Sequence, residues 1–93
     1  MKKLIYKFEL ETTDNQTIKM PIGAEILTVQ TQNEVPYLWA LVDPTESGEK
    51  RYIEVFGTGH EVHYDIGISR KYIGTYQLHG GSLVFHVFES TGI

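Results

Sequence analysis

The chain has 93 residues, 41% of them hydrophobic, 22% charged and 12% aromatic, with a formal net charge of −4 and no cysteine. That length and apolar content describe one folded domain spanning residues 1–93 and exclude a disordered chain. The missing cysteines exclude disulfides and thiolate chemistry, and 8 scattered cations against 12 acids give no basic stripe for duplex nucleic acid.

The first residues, Met1-Lys2-Lys3-Leu4-Ile5-Tyr6-Lys7-Phe8-Glu9, carry charge too early for a signal-peptide core. The longest uncharged apolar run, 35–42, is far shorter than a membrane span. A cytoplasmic protein with no membrane partner is expected. Leu4, Tyr6, Phe8 and Leu10 alternate with Ile5, Lys7, Glu9 and Glu11, the period of a half-buried strand.

Thr12-Thr13-Asp14-Asn15 is a turn cluster, and a short strand at 16–20 is expected to close a hairpin with the first. Residues 26–32 are β-branched enough to favour a strand over a helix, with Leu27, Val29 and Thr31 on one face. Asn33-Glu34-Val35-Pro36 makes the next turn. The run Tyr37-Leu38-Trp39-Ala40-Leu41-Val42 is apolar on both faces, as a covered central strand would be.

Residues 43–49 read as an exposed loop and 51–56 as a fifth strand. Residues 58–70 show no period. Strands at 71–79 and 82–89 flank Gly80-Gly81, a strong hairpin signal, and 90–93 are expected to fray. No stretch carries a helical apolar stripe. An all-β domain of six to seven short strands, an antiparallel sandwich or small barrel, is predicted.

The four histidines, His60, His63, His79 and His86, lack any metal-binding spacing. His60 and His63 with Asp65 are the one grouping that could serve a metal-dependent enzyme; the structural reading, with histidines bonding backbone or packing on strands, is preferred. No cofactor and no metal are expected. Serines 47, 69, 82 and 90 sit in no nucleophile elbow, so the residues point away from an enzyme.

Phe56-Gly57-Thr58-Gly59-His60 could cradle an anion with its amides and the threonine hydroxyl. It departs from the phosphate-loop and dinucleotide patterns, and a tight turn needing positive φ is the simpler reading. The candidate ligand-binding set is Gly57, Thr58, Gly59, His60 and Tyr64, with Arg51, Arg70 or Lys71 supplying charge and Tyr64 a stacking ring. The doubly apolar strands 37–42 and 83–88 have more oily face than one interior layer covers, so a homodimer or higher oligomer is expected.

Five ordered segments carry a resemblance: residues 21–30 (PIGAEILTVQ), 37–43 (YLWALVD), 57–60 (GTGH), 72–75 (YIGT) and 80–89 (GGSLVFHVFE). The chain resembles a family of small uncharacterised domains of bacteriophages and prophages. The resemblance implies a compact accessory protein made in the host bacterial cytoplasm, with no activity or site residues to carry over. By that analogy the expected function is non-enzymatic binding that counters host defence, with a nucleotide-type anionic ligand or a host protein as partner. A phage structural or assembly module is the alternative.

Overall fold

The structure, a computed structural model, describes residues 2–91. It contains seven strands: β1 (Leu4–Glu9), β2 (Asn15–Pro21), β3 (Glu25–Gln32), β4 (Val35–Val42), β5 (Gly48–Gly57), β6 (Arg70–Leu78) and β7 (Leu83–Ser90), with one 3-10 turn at His79–Gly81. They form a three-stranded sheet ordered β1-β4-β3 and a four-stranded sheet ordered β2-β5-β7-β6, every pairing antiparallel. The sheets remain separate, so the predicted all-β fold is a sandwich and not a closed barrel. No helix among the described residues is long and apolar enough to cross a membrane.

Period-two alternation decides which side chains meet between the sheets. From the three-stranded sheet Val29, Leu38, Ala40 and Val42 point inward; from the other come Met20, Ile53, Val55, Tyr76 and Val87. Leu38, Val42, Ile53 and Val87 are wholly inaccessible, each stabilising the fold by about 1.5–3 kcal/mol relative to an exposed side chain. On the outer side β4 presents Tyr37, Trp39 and Leu41, which are half-buried.

The local pairings differ from expectation in three places. β1 and β2 are not a hairpin: β1 pairs with β4 and β2 with β5, so residues 10–14 form an arch that carries the chain from one sheet to the other. Leu10 is buried in that arch, and its amide bonds to the Pro36 carbonyl.

The turn after β3 is tighter than predicted. Asn33 and Glu34 both take positive φ, 53° and 65°, the geometry of a two-residue hairpin turn that matches strand twist. Val35 and Pro36 already belong to β4.

The third difference is a bulge between Ile26 and Thr28. It turns Leu27 outward while Ile26 and Val29 pack inward, so the alternation assigned to residues 26–32 is broken.

The β6–β7 hairpin forms around Gly80-Gly81 as predicted. Of the expected frayed end, Ser90 is paired in β7 and the Thr91 amide bonds to the Ser69 carbonyl at 2.9 Å; residues 92 and 93 lie outside the described residues.

β5 and β6 flank β7, and both run antiparallel to it. They are therefore parallel to each other and cannot be joined by a tight turn; parallel strands need a crossover of about a dozen residues. Residues 58–69 supply it without a helix, which is why that segment shows no period. The crossover packs against the outer face of the four-stranded sheet, and this is where the candidate site lies.

Candidate functional site

Three consecutive levels of the outer face build the site. Tyr52, Ser90 and Arg70 share one level; Glu54, Phe88 and Tyr72 the next; Phe56, His86 and Thr75 the third. Phe88 stands edge-on to both Tyr72 and Phe56, with ring centroids 5.1 and 5.8 Å away. Edge-to-face contact at such distances contributes about 0.5–1.5 kcal/mol beyond burial. The result is an aromatic row running across three strands.

Arg70 reaches over β7 to Glu54 on β5, with Nε donating at 2.7 Å and Nη2 at 3.3 Å. Its Nη1 donates to the His63 carbonyl at 2.7 Å, and the guanidinium lies 4.6 Å from the Tyr64 ring centroid and 5.5 Å from that of Phe56. The Glu54 carboxylate raises the Arg70 guanidinium above its ordinary value, burial opposing it. One arginine thus fastens the crossover to the sheet. Beneath the crossover is a cleft of about 360 Å3 lined by Asn15, Glu54, Phe56, His60, His63 and Arg70.

The glycine-containing turn has the tight conformation preferred above. Gly59 has φ +88°, while the space where a Cβ of Gly57 would sit is occupied by the His60 ring, 2.9 Å away. The Thr58 amide donates to the Val84 carbonyl and the His60 amide to the Gly57 carbonyl. The Thr58 hydroxyl pairs with His86 Nε2 at 2.7 Å. These three donors bond within the chain, so the turn at Gly57, Thr58, Gly59 and His60 holds them in its own hydrogen bonds.

Nor do the expected cations converge. Arg70 joins the turn and Tyr64, but Arg51 and Lys71 belong to the inward side. Arg51 shares the parity of Ile53 and Val55, and its Nε and Nη2 both donate to Glu89 while Nη1 bonds to the Ala24 carbonyl at 2.8 Å. Lys71 lies opposite Glu89 on β7. Both line a separate cleft of about 450 Å3 between the sheets, with Ala24, Ile26 and Ile73. The fork to Glu89 raises the Arg51 guanidinium above its ordinary value, so its charge is permanent and already neutralised.

The histidines are dispersed: His63 Nε2 is 3.9 Å from Asp65 Oδ2 at the surface, His86 lies on the sheet, and the His79 amide donates to Glu34 at 2.7 Å. Among the described residues no three His, Asp or Glu side chains could jointly hold a metal ion.

A family model matches residues 1–92. The chain belongs to that family, a domain of unknown function (DUF7352). The comparisons with curated proteins and with solved structures found no match.

Membership of DUF7352 agrees with the uncharacterised domain implied by the resemblance and attaches no role to any residue. The chemistry must come from what the site exposes. Ile66 at the crossover's tip is 100% exposed, on a turn made by the Ile68 amide bonding to the Asp65 carbonyl and the Ile66 amide to Asp65 Oδ1. Tyr52, Tyr64 and Tyr72 are exposed on the same side. Sequence reading singled out Tyr64 alone. Ile66 had a signal: an isoleucine between Asp65 and Gly67, in a segment without period, has no strand face to fill. Tyr52 and Tyr72 gave none until the register was known.

Proposed function

We propose that this DUF7352 domain is a non-catalytic binding protein of phage origin. It works in the bacterial cytoplasm by gripping a host protein, and thereby counters host defence. The observation that carries this reading is the crossover's apolar tip, Ile66, standing clear of the body beside Tyr64. A fully exposed isoleucine on a loop fastened by Arg70, with exposed tyrosines on the same side, has the composition of a protein-binding hot spot. Arg70 at the site and Arg51 in the separate inter-sheet cleft are both neutralised by glutamates of the same chain, which supports a protein partner over an anionic nucleotide. The phage setting rests on the resemblance, and with it the choice of host target.

The test is affinity capture from infected or lysogenic cells with the wild-type domain and with Ile66→Asp and Tyr64→Ala. A stoichiometric protein partner that is retained by the wild type and lost by both variants is expected. Calorimetry with cyclic di- and trinucleotides and with ADP-ribose derivatives is expected to be silent; saturable heat from any of them would replace this reading with the small-ligand one.

A further inference from the structure

Each sheet of a sandwich has two edges, and open edges invite pairing unless they are guarded. Here β3 and β6 run alongside each other, so two of the four edges cover one another. The edge of β2 is guarded: its exposed residues include Asn15, Thr17 and Lys19, and the strand ends on Pro21. β1 is different. Among the described residues it pairs only with β4, and its first three residues are apolar and exposed on both faces: Leu4 49%, Ile5 61% and Tyr6 38%. The lysine that could defend it does not. Lys7 Nζ is drawn away from the open edge, over the Tyr37 ring at 4.5 Å, to donate to Gln32 on β3 at 2.6 Å.

We infer that β1 is the seam of a symmetric dimer, in which the β1 strands of two copies pair antiparallel and join two three-stranded sheets into one of six. The occupant is chosen by charge. Antiparallel self-pairing that keeps each face on its own side places residues of equal parity opposite each other. With the two-fold axis at Tyr6, Lys3 faces Glu9 twice, Leu4 faces Phe8, and Ile5 meets the aliphatic stem of Lys7. An axis at Ile5 sets Lys3 against Lys7 twice, and one at Lys7 sets two lysines against each other on the axis. An axis at Phe8 also sets Lys7 against Glu9, but it places Tyr6 and Ile5 opposite Leu10 and Glu11, outside β1. Of the two registers that keep five residues of β1 paired with one another, those centred on Tyr6 and Lys7, only the Tyr6 register opposes no like charges, and like charges directly opposite are destabilising. This inference does not depend on the host-protein reading, which concerns the other sheet.

Analytical ultracentrifugation of the full chain at tens of micromolar is expected to give a species of twice the chain mass. Lys3→Glu, which sets Glu against Glu9 at two symmetric places, is expected to weaken association roughly tenfold or more, and Lys3→Glu with Glu9→Lys to restore it. Because the chain has no cysteine, Tyr6→Cys supplies a direct reading: opposed residues in an antiparallel pair lie about 4.5–5.5 Å apart between Cα atoms, within disulfide reach. Mild oxidation is expected to cross-link Tyr6→Cys rapidly and Ile66→Cys, more accessible but distant in the fold, only slowly. A wild-type chain that stays monomeric overturns the inference. So does a dimer indifferent to both the charge swap and the cysteine position, which would have its seam elsewhere.

Discussion

Gly74 on β6 approaches Val29 on β3 so closely that a Cβ at position 74 would lie 3.1 Å from Val29 Cγ1 and 3.9 Å from the Val29 amide nitrogen. The contact lies where β6 shifts register between Tyr72 and Gly74, and it brings the two sheets together along one side. Gly74 is therefore needed for its missing side chain, not for an unusual backbone angle. Gly74→Ala is expected to cost about 1–3 kcal/mol, the usual range for an added methyl in a packed site. Val29→Ala should then cost less in the Gly74→Ala background than in the wild type, as urea unfolding can measure. Strictly additive losses would show that the two positions do not share the seam.

Arg51 and Glu89 make the second tie between elements. Each is mostly buried, with side chains 16% and 11% accessible, and the pair lines the inter-sheet cleft. Removing one partner strands the other, so Arg51→Met or Glu89→Leu alone should lose about 3–5 kcal/mol. The double substitution should recover most of that loss, since replacing a buried pair by apolar side chains of similar volume is often neutral. A double variant as damaged as the singles would mean that the bond from Arg51 to the Ala24 carbonyl carries the effect.

For the crossover, the fork geometry of Arg70 matters more than its charge. Arg70→Lys keeps the cation but cannot bond Glu54 twice and the His63 carbonyl at once. Limited proteolysis within residues 58–69 is expected to run several-fold faster in this variant. Thermal unfolding of the sandwich should shift by no more than a few degrees, because the inward core is untouched. Equal cleavage rates would show that Tyr64 and Phe56 hold the loop without the arginine.

How much of this was legible in the sequence depends on the range over which each decision is made. The strands, the Gly80-Gly81 hairpin and the all-β class follow from alternation and turn chemistry, which are local. The pairing of β1 with β4 is not: Thr12-Thr13-Asp14-Asn15 reads the same whether the chain folds back on itself or arches to the other sheet. The bulge at Leu27 inverted an alternation that looked regular.

At the site, the signal for Arg51 was present and unread. It shares parity with Ile53 and Val55, as Glu89 does with Phe85 and Val87, and two opposite charges on inward faces must pair or be expelled. The aromatic row of Tyr72, Phe88 and Phe56 required the register of three strands, one of them reached through an irregular crossover, and no local pattern could supply it.

Tyr76 provides a pH test of the core. Its ring is stacked on Phe85 at 5.3 Å, the residue is 3% exposed, and its hydroxyl shares a 2.7 Å hydrogen bond with Thr12 in the β1–β2 arch. Burial raises the Tyr76 phenol above its ordinary value of 10.0, with the Thr12 bond opposing. Below about pH 10 the phenol is neutral in the folded and unfolded chain alike, and its contribution is constant. Above that, the unfolded chain releases the proton while the folded chain retains it, so stability falls as pH rises through this window. Tyr76→Phe removes the titrating group and the bond to Thr12 together. At neutral pH it should be less stable by about 1 kcal/mol. Between about pH 10 and 11 its stability should decline by up to about 1.4 kcal/mol less than that of the wild type, the limit for one group over one pH unit. Urea midpoints on both sides of pH 10 measure the two slopes, and parallel slopes would mean that the Tyr76 phenol ionises as freely in the folded chain as in the unfolded one.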